Sequence, residues 1–580
     1  MSDSSPSPET PGKRQFPSWA LALGFSFLLS LLLLLPFFFL GTASGHDFEF
    51  HGSSWLDVAS QWKQGILYPR WAQWPNHGFG EPRFIFYPPL SWILGAALTL
   101  VFPGPWVPVL FILLTQTFAG LTAFVLLRRL TSTRPAILGA GCYVINPYAL
   151  LIAYNRSDFA EQLACALLPL LFLAALRIAD LLEDSPAGRS SIAFFAVSFA
   201  SIWLSNAPAA VIASYAMALL FAWAALSQRS WRILFRGASG LALGLGLAGF
   251  YLVPAAYEQR WVNIGQALAS GLLPTQNFLY TYIDDPEHNW FNSIASTSAL
   301  LIAIIFLLAT LVSRRFRASS KVADASRNTA SALLVLGAAS IFLMVHLSTP
   351  LWNYLPKLRF VQFPWRWMSI LALVCSFSLA WVMERRRGWL AFLLVLALSL
   401  PLSLFLITNT WWDADEMPTL AAAIENGSGF DGTDEYDPVG DDHMNLPLNA
   451  PLVKQLPDAL NGAKTPEARV QIQKWTAERK QIRVDAAAET RLALRLLNYP
   501  AWRVEVNGNR VQPGRMDDSY QMVVTVGPGG SEIRVQFVRT TDRTVGIFLT
   551  LCAGLILGVW LFYAAGARPA NESPALTPVD

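Results

Sequence analysis

Residues 18–55 read SWALALGFSFLLSLLLLLPFFFLGTASGHDFEFHGSSW, a long apolar run followed at once by a cluster of ionisable side chains. The apolar part has the roughly 20 residues that an α-helix needs to cross a bilayer. It exceeds the core of about 7–15 residues that a signal peptide carries, so we expect a retained signal anchor. His46, Asp47, Glu49 and His51 then stand where the chain leaves the membrane.

The composition predicts a membrane protein. Charged residues make up 14% of the 580 residues, against roughly 25% in soluble domains, and hydrophobic residues make up 54%. We expect a mainly α, polytopic fold with about 12 transmembrane helices. The expected spans are 17–40, 106–128, 135–154, 160–182, 190–206, 207–226, 234–254, 297–313, 330–347, 365–383, 388–408 and 544–565. The net charge of +3 is scattered, and it indicates no nucleic-acid partner.

The distribution of Lys and Arg predicts the topology. Segment 87–103 is also apolar, but if it crossed the membrane, later basic clusters such as Arg385–Arg387 would change side. We therefore expect it to lie along the outer surface. We then expect both termini to be cytoplasmic.

These spans divide the chain into five parts. We expect a cytoplasmic tail, a transmembrane domain whose outer loop 41–105 carries interfacial helices, an extracytoplasmic domain, a final span and a second cytoplasmic tail. Their bounds are 1–16, 17–408, 409–543, 544–565 and 566–580.

The outer segments contain their own local signals. Ser54 and Asp57 form a capping-box pattern that predicts the start of a surface helix, with Trp55 at the headgroup level and Gly65 at its end. Residues 413–445 are acidic and Gly-rich and are typical of a loop.

A small β-sandwich of about five strands is expected from about residue 479. Asn507-Gly508 is a type I′ hairpin signal. The segments 520–526 and 532–538, on either side of Gly527–Gly530, predict another hairpin.

The first outer loop offers candidate chemistry. Asp47 is a candidate general base or ligand of a divalent cation, and His51 shares its face if the segment is helical. Asp47, Glu49 and His51 together are candidate ligands for Mg²⁺ or Mn²⁺. The alternative is a solvated loop without a function.

Three charged residues begin a later span, in the stretch NRSDFAEQLA. Glu161 lies one turn inside the helix, where a charge is costly unless it faces protein or water. Arg156 and Asp158 stand just before it and are candidate binding and catalytic residues. The alternative is an acid favoured by the helix dipole and paired with Arg156.

Two arginines stand against the positive-inside trend in the stretch PKLRFVQFPWRWM. Arg359 and Arg366 are placed to bind a phosphate, or alternatively to reach lipid phosphates in general. Asn206 and His288 are further candidates for substrate binding in outer loops. For both, a turn or solvated-loop role is the alternative.

The motifs HDFEFH, GILYPRW, GFGEPRFIFYPPL, NRSDFAEQLA, FVQFPWRW and LNYPAWRVEVNGNRV as a set resemble a known bacterial family. It is the multi-span membrane family labelled 6-pyruvoyl-tetrahydropterin synthase-related, which is YfhO-like and related to the GT-C glycosyltransferase superfamily. The resemblance covers most of residues 17–566.

The resemblance implies transfer of a sugar from a polyprenyl-phosphate donor to an acceptor outside the cell. Asp47 matches the acid that serves as base or metal ligand, and Asp158 or Glu161 matches a second acid. Arg366 or Arg359 would stabilise the leaving phosphate. The superfamily often carries His at the position of Asn206, and this departure weakens a catalytic role for Asn206.

The sequence therefore predicts a membrane glycosyltransferase with an unidentified glycan, lipid or protein acceptor. A lipid or glycolipid transporter is an alternative, which would need polar or broken helices at the membrane midplane. A non-catalytic scaffold for envelope assembly is the other, in which Asp47 would be replaceable.

Overall fold

The structure is a computed structural model that describes residues 17–182, 188–317, 324–440, 445–457, 466–517 and 519–566. The first cytoplasmic tail expected from the sequence lies outside the described residues, and so does nearly all of the second.

Helices make up most of the described chain. They are α1 (Ser18–Leu33), α2 (Leu35–Leu40), α3 (Phe48–Lys63), α4 (Pro75–Gly78), α5 (Arg83–Phe86), α6 (Pro89–Val101), α7 (Val107–Leu127), α8 (Thr133–Val144), α9 (Pro147–Leu151), α10 (Phe159–Ile178), α11 (Arg189–Trp203), α12 (Ala207–Ser227), α13 (Trp231–Leu247), α14 (Gly249–Glu258), α15 (Pro286–Arg317), α16 (Asp324–Leu343), α17 (Thr349–Tyr354), α18 (Met368–Met383), α19 (Trp389–Thr408), α20 (Glu416–Glu425) and α21 (Thr541–Gly566). The polytopic, mainly α fold class is confirmed.

Helices occur at all twelve predicted spans, but fewer have the length of a span. Within the described ranges, eight helices are long and apolar enough to cross a membrane, and two bent pairs bring the number to ten. The predicted span 17–40 is split at Leu34, because Pro36 has no N–H to continue the helix. The predicted span 190–206 becomes the 15-residue α11.

The apolar segment 87–103 forms a helix that is too short to be a span. Helix α6 has 13 residues and packs against α3, as expected for a segment that does not cross. Gly95 faces Trp55, and a Cβ atom at Gly95 would come within 2.3 Å of the indole ring. The two surface helices are therefore in close contact.

The capping-box prediction at Ser54 is wrong. Helix α3 begins six residues earlier, directly after Asp47, and Ser54 donates its hydroxyl to the carbonyl of Phe50 within the helix. Trp55 is fully buried and stacks on Phe111 at 5.2 Å, so its indole ring packs against protein and is not exposed to lipid. The helix does end as predicted, with Gly65 at a φ of +83°.

Asp57, the other residue of that motif, is also buried. Its carboxylate accepts hydrogen bonds from the side chain of Gln61 at 2.9 Å and from the backbone N–H of Gln73 at 2.7 Å. Burial raises its pKa to about 6. Asp57 therefore fixes the loop that follows α3 instead of starting a helix.

The strands form one short pair and two larger antiparallel sheets. They are β1 (Thr42–Ala43), β2 (Trp412–Asp413), β3 (Val453–Gln455), β4 (Arg469–Trp475), β5 (Arg479–Ala486), β6 (Thr490–Leu497), β7 (Trp502–Val506), β8 (Asn509–Val511), β9 (Gly514–Arg515), β10 (Gln521–Val526) and β11 (Gly529–Phe537). The sheet orders are β3-β6-β10-β9 and β4-β5-β11-β7-β8, and one apolar core lies between the two sheets. The predicted sandwich is present.

Two details of the sandwich differ from the sequence prediction. It begins at Val453 instead of about 479, because β4 is an edge strand whose mostly exposed side chains give little apolar signal. The segments around Gly527–Gly530 do not pair, because β10 and β11 belong to different sheets. The hairpin at Asn507-Gly508 is confirmed, with positive φ at both residues.

The sandwich is fastened to the membrane part of the chain. Trp71 of the first outer loop lies within its core, 5.3 Å from Trp502. Arg543, at the start of α21, pairs with Glu258 at the end of α14 at 2.7 Å. These contacts fix the first outer loop and the sandwich on the same side of the helices.

Candidate functional site

A cavity of about 900 Å³ lies between the first outer loop, the ends of several helices and the acidic segment before the sandwich. Its wall is both polar and apolar. The lining residues come from segments 46–53, 83–88, 156–158, 203–211, 251–277, 288–291, 357–366 and 431–436. We call residues 431–436, which cover one side, the strap.

The backbone around Asp47 is attached to the segment before α10. The Asp47 side chain makes no capping hydrogen bond to α3, and the Asp47 N–H donates to the carbonyl of Arg156 at 2.9 Å. Gly45 donates to Ser157 Oγ at 3.0 Å, and a Cβ atom at Gly45 would come 2.4 Å from the carbonyl oxygen of Asn155. Only glycine permits this approach, and the approach brings the Asp47 carboxylate onto the Arg156 guanidinium.

The orientation of the Arg156 side chain follows from an unusual backbone conformation. Residues Ile152–Arg156 form a π-helical turn, and Ser157 follows in the left-handed region with φ 54°. Such turns are frequent at functional sites because they displace one side chain from the helical register. The guanidinium then stacks over Phe363 at 4.9 Å and Trp365 at 5.4 Å.

Asp158 is the centre of the charged cluster. One carboxylate oxygen lies 3.2 Å from Arg366 Nη2 and 3.6 Å from Arg156 Nη2, and the other lies 3.7 Å from His51 Nε2. Asp158 also caps α10 by accepting the N–H of Glu161 at 2.9 Å. Although burial by itself raises the pKa of Asp158, the nearby His51 and both arginines hold it below its usual value.

Glu161 and Arg366 continue the cluster into the protein. Arg366 Nε lies 3.1 Å from Glu161 Oε2, in an ion pair that lacks the alignment of a hydrogen bond. Tyr148 donates its hydroxyl to Glu161 Oε1. Glu161 is 1% exposed and does not line the cavity, so it acts on the site through Arg366.

His51 and Asn206 meet the cluster from two other elements. His51 Nε2 lies 3.4 Å from the Tyr87 hydroxyl as well as near Asp158. Asn206 caps α12 by accepting the N–H of Ala209 at 2.9 Å, and it donates Nδ2 to Asp158 at 3.5 Å. Asn206 therefore has both the turn role and a contact with the site.

The remaining sequence candidates are less central. His288 lines the cavity, and its Nε2 lies 3.2 Å from the Gln276 carbonyl oxygen. Arg359 is exposed and is not among the lining residues, so the structure does not bring it to the cluster. Of the two arginines in that segment, Arg366 alone joins the site.

The predicted metal ligands do not converge on one point. Asp47 contacts Arg156, and His51 faces Asp158. Burial and the charge of Asp431 raise the pKa of Glu49, which does not join either residue. Across the described part of the chain, no three His, Cys, Asp or Glu side chains converge enough to hold a metal ion. The residues present do not fit a three-ligand site, and a divalent cation stays a prediction.

Sequence reasoning missed several residues of the site. Tyr148 follows the Asn146-Pro147 break, where the Asn146 side chain caps α9 and turns the chain toward Glu161. Tyr87 stands in the motif FIFYPPL, which gave no hint of a contact with His51. The strap was predicted as part of a loop, and its place over the cavity depends on contacts between distant segments.

The strap is held by the first outer loop. Thr433 donates its N–H to Glu81 Oε2 at 3.0 Å, and Arg83 Nη2 donates to Thr433 Oγ1 at 3.2 Å. Burial raises the pKa of Glu435 to about 7. Arg83 and the carboxyl groups of the strap therefore line one part of the cavity, and Arg156, Asp158 and Arg366 line another.

Among the carboxylates of the charged cluster, that of Asp47 is the most accessible. Asp158, Glu161 and Arg366 are buried, whereas the Asp47 side chain is 33% exposed in the cavity. A carboxylate in that position can accept a proton from a bound hydroxyl. Two arginines beside it can compensate a negative charge that develops on a bound phosphate.

Solved structures of three other proteins are similar to the chain. One is the arabinofuranosyltransferase AftD from Mycobacteria, with 17% identity over 69% of this chain and 27% of that chain and a TM-score of 0.40. Another is ArnT from Cupriavidus metallidurans bound to undecaprenyl phosphate. It has 12% identity over 63% of this chain and 77% of that chain, and a TM-score of 0.32.

The third is the oligosaccharyltransferase AglB from Archaeoglobus fulgidus, in complex with an inhibitory peptide and a dolichol-phosphate. It has 13% identity over 72% of this chain and 56% of that chain, and a TM-score of 0.36. The chain spans only about a quarter of the length of AftD. These similarities are too low to assign an activity to the chain.

No curated protein matches the sequence significantly. Residues 84–415, more than half of the chain, match the family described as 6-pyruvoyl-tetrahydropterin synthase related domain, membrane protein. This range contains Arg156, Asp158, Glu161 and Arg366, as well as most of the predicted spans. The chain therefore belongs to the 6-pyruvoyl-tetrahydropterin synthase-related family of membrane proteins.

Proposed function

We propose that the protein is a glycosyltransferase that moves a sugar from a polyprenyl-phosphate donor to an extracytoplasmic acceptor. The observation that carries the proposal is the accessible carboxylate of Asp47 beside two arginines in a large cavity. Transfer from a glycosyl phosphate needs a base for the acceptor and positive charge for the leaving group.

The wall of the cavity suits a donor that is part lipid and part sugar phosphate. Val211, Leu252 and Leu272 supply apolar surface, whereas Arg156 and Arg366 lie at the charged side. A ligand that is apolar at one end and anionic at the other matches this wall. A polyprenyl-phosphate sugar has that chemistry, in agreement with the resemblance carried by the sequence motifs.

In the proposed step, an acceptor hydroxyl attacks the anomeric carbon of the sugar while Asp47 accepts its proton. The new bond joins the acceptor oxygen to the anomeric carbon, and the bond between that carbon and the phosphate oxygen breaks. The electron pair stays on the phosphate, which leaves as polyprenyl phosphate beside Arg156 and Arg366. Attack opposite the leaving group inverts the anomeric configuration.

Asp158 and Glu161 act as positioning residues in this scheme. Both are buried, and between them they hold Arg366 by two ion pairs. An arginine fixed in this way presents its charge without reorganisation during the reaction, which is the main source of electrostatic catalysis. Glu161 is itself oriented by Tyr148.

We place the cavity and the sandwich outside the cytoplasmic membrane of a bacterium, with both termini inside. The clusters Arg128–Arg129 and Arg385–Arg387 support this orientation by the positive-inside rule. The acceptor then is a glycan, lipid or protein of the cell envelope.

A lipid or glycolipid transporter is the second candidate, because two helix pairs bend by 75° and 94°. The bend after α13 follows 17 residues of helix, or about 26 Å, so it lies near one membrane face. Transporters of this kind break their helices near the midplane. The position of the bend therefore favours the enzyme, in which the bent end of α14 borders the cavity.

The donor class is tested with purified protein and a panel of radiolabelled polyprenyl-phosphate sugars, with nucleotide sugars as the comparison. We expect transfer or hydrolysis of one lipid-linked sugar and none of the nucleotide sugars. Competition by unlabelled polyprenyl phosphate should reduce the rate, because it occupies the same site. Binding without turnover across the whole panel would favour the transporter, and absence of binding would favour the scaffold.

A further inference from the structure

A second cavity has a volume of about 300 Å³ and lies apart from the charged cluster. It is enclosed by the first outer loop, by α14 and by the start of α21. Arg70 and Tyr68 line its polar end, and Phe250, Ile547 and Leu551 line its apolar end. Its lining shares no residue with that of the larger cavity.

Arg70 has no anionic partner in this cavity. In the part of the chain that the structure describes, no hydrogen bond or ion pair within 4.0 Å reaches its guanidinium, which lies 5.4 Å from the ring of Tyr68. Arg543, the other arginine of the cavity, is fully engaged by Glu258 at 2.7 and 2.9 Å and by the Val538 carbonyl at 3.1 Å.

The surroundings of Arg70 favour an added negative charge. Burial lowers the pKa of Arg70, and the charge of Glu478 only partly opposes this, while Arg543 and Arg539 lower the pKa further. An arginine stays protonated under all ordinary conditions, so the cost of its burial is not relieved by loss of a proton. An anion in the cavity would relieve it, and a phosphate matches the planar fork of donors.

The apolar end of the cavity continues onto the surface that faces lipid. Leu551 is 66% exposed and Phe548 is 64% exposed, on a helix of which little is buried against the protein. Leu551 lies eight residues after Arg543, which is about 12 Å further into the membrane. The arginines therefore stand near headgroup depth, and the apolar groove begins directly beneath them.

We propose that this cavity binds one anionic phospholipid, with its phosphodiester against Arg70 and the first part of an acyl chain along Ile547 and Leu551. Charge complementarity selects the phosphodiester, and continuity with the lipid-facing surface selects a lipid over a soluble anion. The proposal does not depend on the proposed transferase activity, because the two cavities have separate linings.

The site is tested by native mass spectrometry of the full-length protein in detergent with added phosphatidylglycerol. Wild type should retain one tightly bound lipid, and Arg70→Gln should bind it about tenfold more weakly, because a charged hydrogen bond is lost. Arg510→Gln is the matched control, since Arg510 is an exposed arginine of β8. The control should bind the lipid like wild type.

Ile547→Trp provides an independent variant, because a bulkier side chain fills the apolar end without touching the charge. We expect it to lose the lipid while its Tm stays near that of wild type. Equal lipid retention by Arg70→Gln and wild type would overturn the proposal. Displacement of phosphatidylglycerol by inorganic phosphate alone would also overturn it, because the site would then bind the anion and not the lipid.

Discussion

The carboxylate of Asp158 lies 3.2 Å from Arg366 Nη2, although 208 residues separate the two in the chain. This contact joins the start of α10 to the start of α18, and the same carboxylate faces His51 on α3. Each charge is costly near a membrane by itself, and together they compensate one another. The pair therefore holds three parts of the cavity wall in one arrangement.

Replacement of Arg366 by Lys is expected to lower both stability and activity. Arg366 meets Asp158 through Nη2 and Glu161 through Nε, and a lysine ammonium cannot reach both carboxylates with the same geometry. We expect a loss of about 1–3 kcal/mol, measured as a fall in Tm of the purified protein.

Arg359→Lys is the matched control, because Arg359 stands seven residues earlier on the same segment but is exposed and outside the cavity. Its Tm and its turnover should stay near the wild-type values. Equal effects of the two substitutions would contradict the distinction between the two arginines.

Gly95→Ala should destabilise the protein although alanine favours helices. A Cβ atom at Gly95 would come within 2.3 Å of the Trp55 ring, so α3 and α6 would have to separate. Gly24→Ala in α1 is the control, because nothing lies within 4 Å of its added Cβ, and there we expect no loss. Thermal unfolding of both variants measures the difference, of about 1–3 kcal/mol. A Gly95→Ala protein as stable as the control would show that the two surface helices are not packed as described.

Glu435→Gln should change the dependence of stability on pH. Burial raises the pKa of Glu435 from 4.5 to about 7, so the folded state binds this proton more tightly than the unfolded state does. The contribution of this proton to the free energy of unfolding is fully present below pH 4.5, declines between about pH 4.5 and 7, and is absent above pH 7.

The glutamine variant keeps a neutral side chain at every pH and should lack this decline. We expect it to exceed wild type by up to about 3 kcal/mol at pH 8 and to equal it at pH 4, by Tm in matched buffers. Glu425→Gln, at the exposed end of α20, is the control. A pH profile of Glu435→Gln that follows wild type would mean that the strap leaves this carboxyl in water.

Much of the fold was predictable because its signals are local. Each apolar run becomes a helix, Gly65 ends α3, and Asn507-Gly508 turns β7 into β8. Gly527–Gly530 shows the limit of local signals, because the same turn residues serve a hairpin or a crossing between sheets. Contacts with neighbouring strands decide between the two, and a single sequence does not contain them.

The candidate site was predictable as a set of residues but not as an arrangement. Asp47, Arg156, Asp158 and Arg366 were each selected by charge next to a membrane span, and the structure brings all four together. The orientation of the Arg156 side chain depends on a π-helical turn that no local sequence pattern predicted. The three proposed metal ligands share a short stretch of sequence, but within the described residues they do not converge on a metal site.

The central claim is that Asp47 is the base of a sugar transfer. Its most direct test compares turnover and donor affinity for wild type and Asp47→Asn, with Asp180→Asn as control, because Asp180 also pairs with an arginine but lies outside the cavity. We predict that Asp47→Asn binds the polyprenyl-phosphate sugar with nearly unchanged affinity and turns it over about 10²–10⁴-fold more slowly. Wild-type turnover by a folded Asp47→Asn protein would contradict the account.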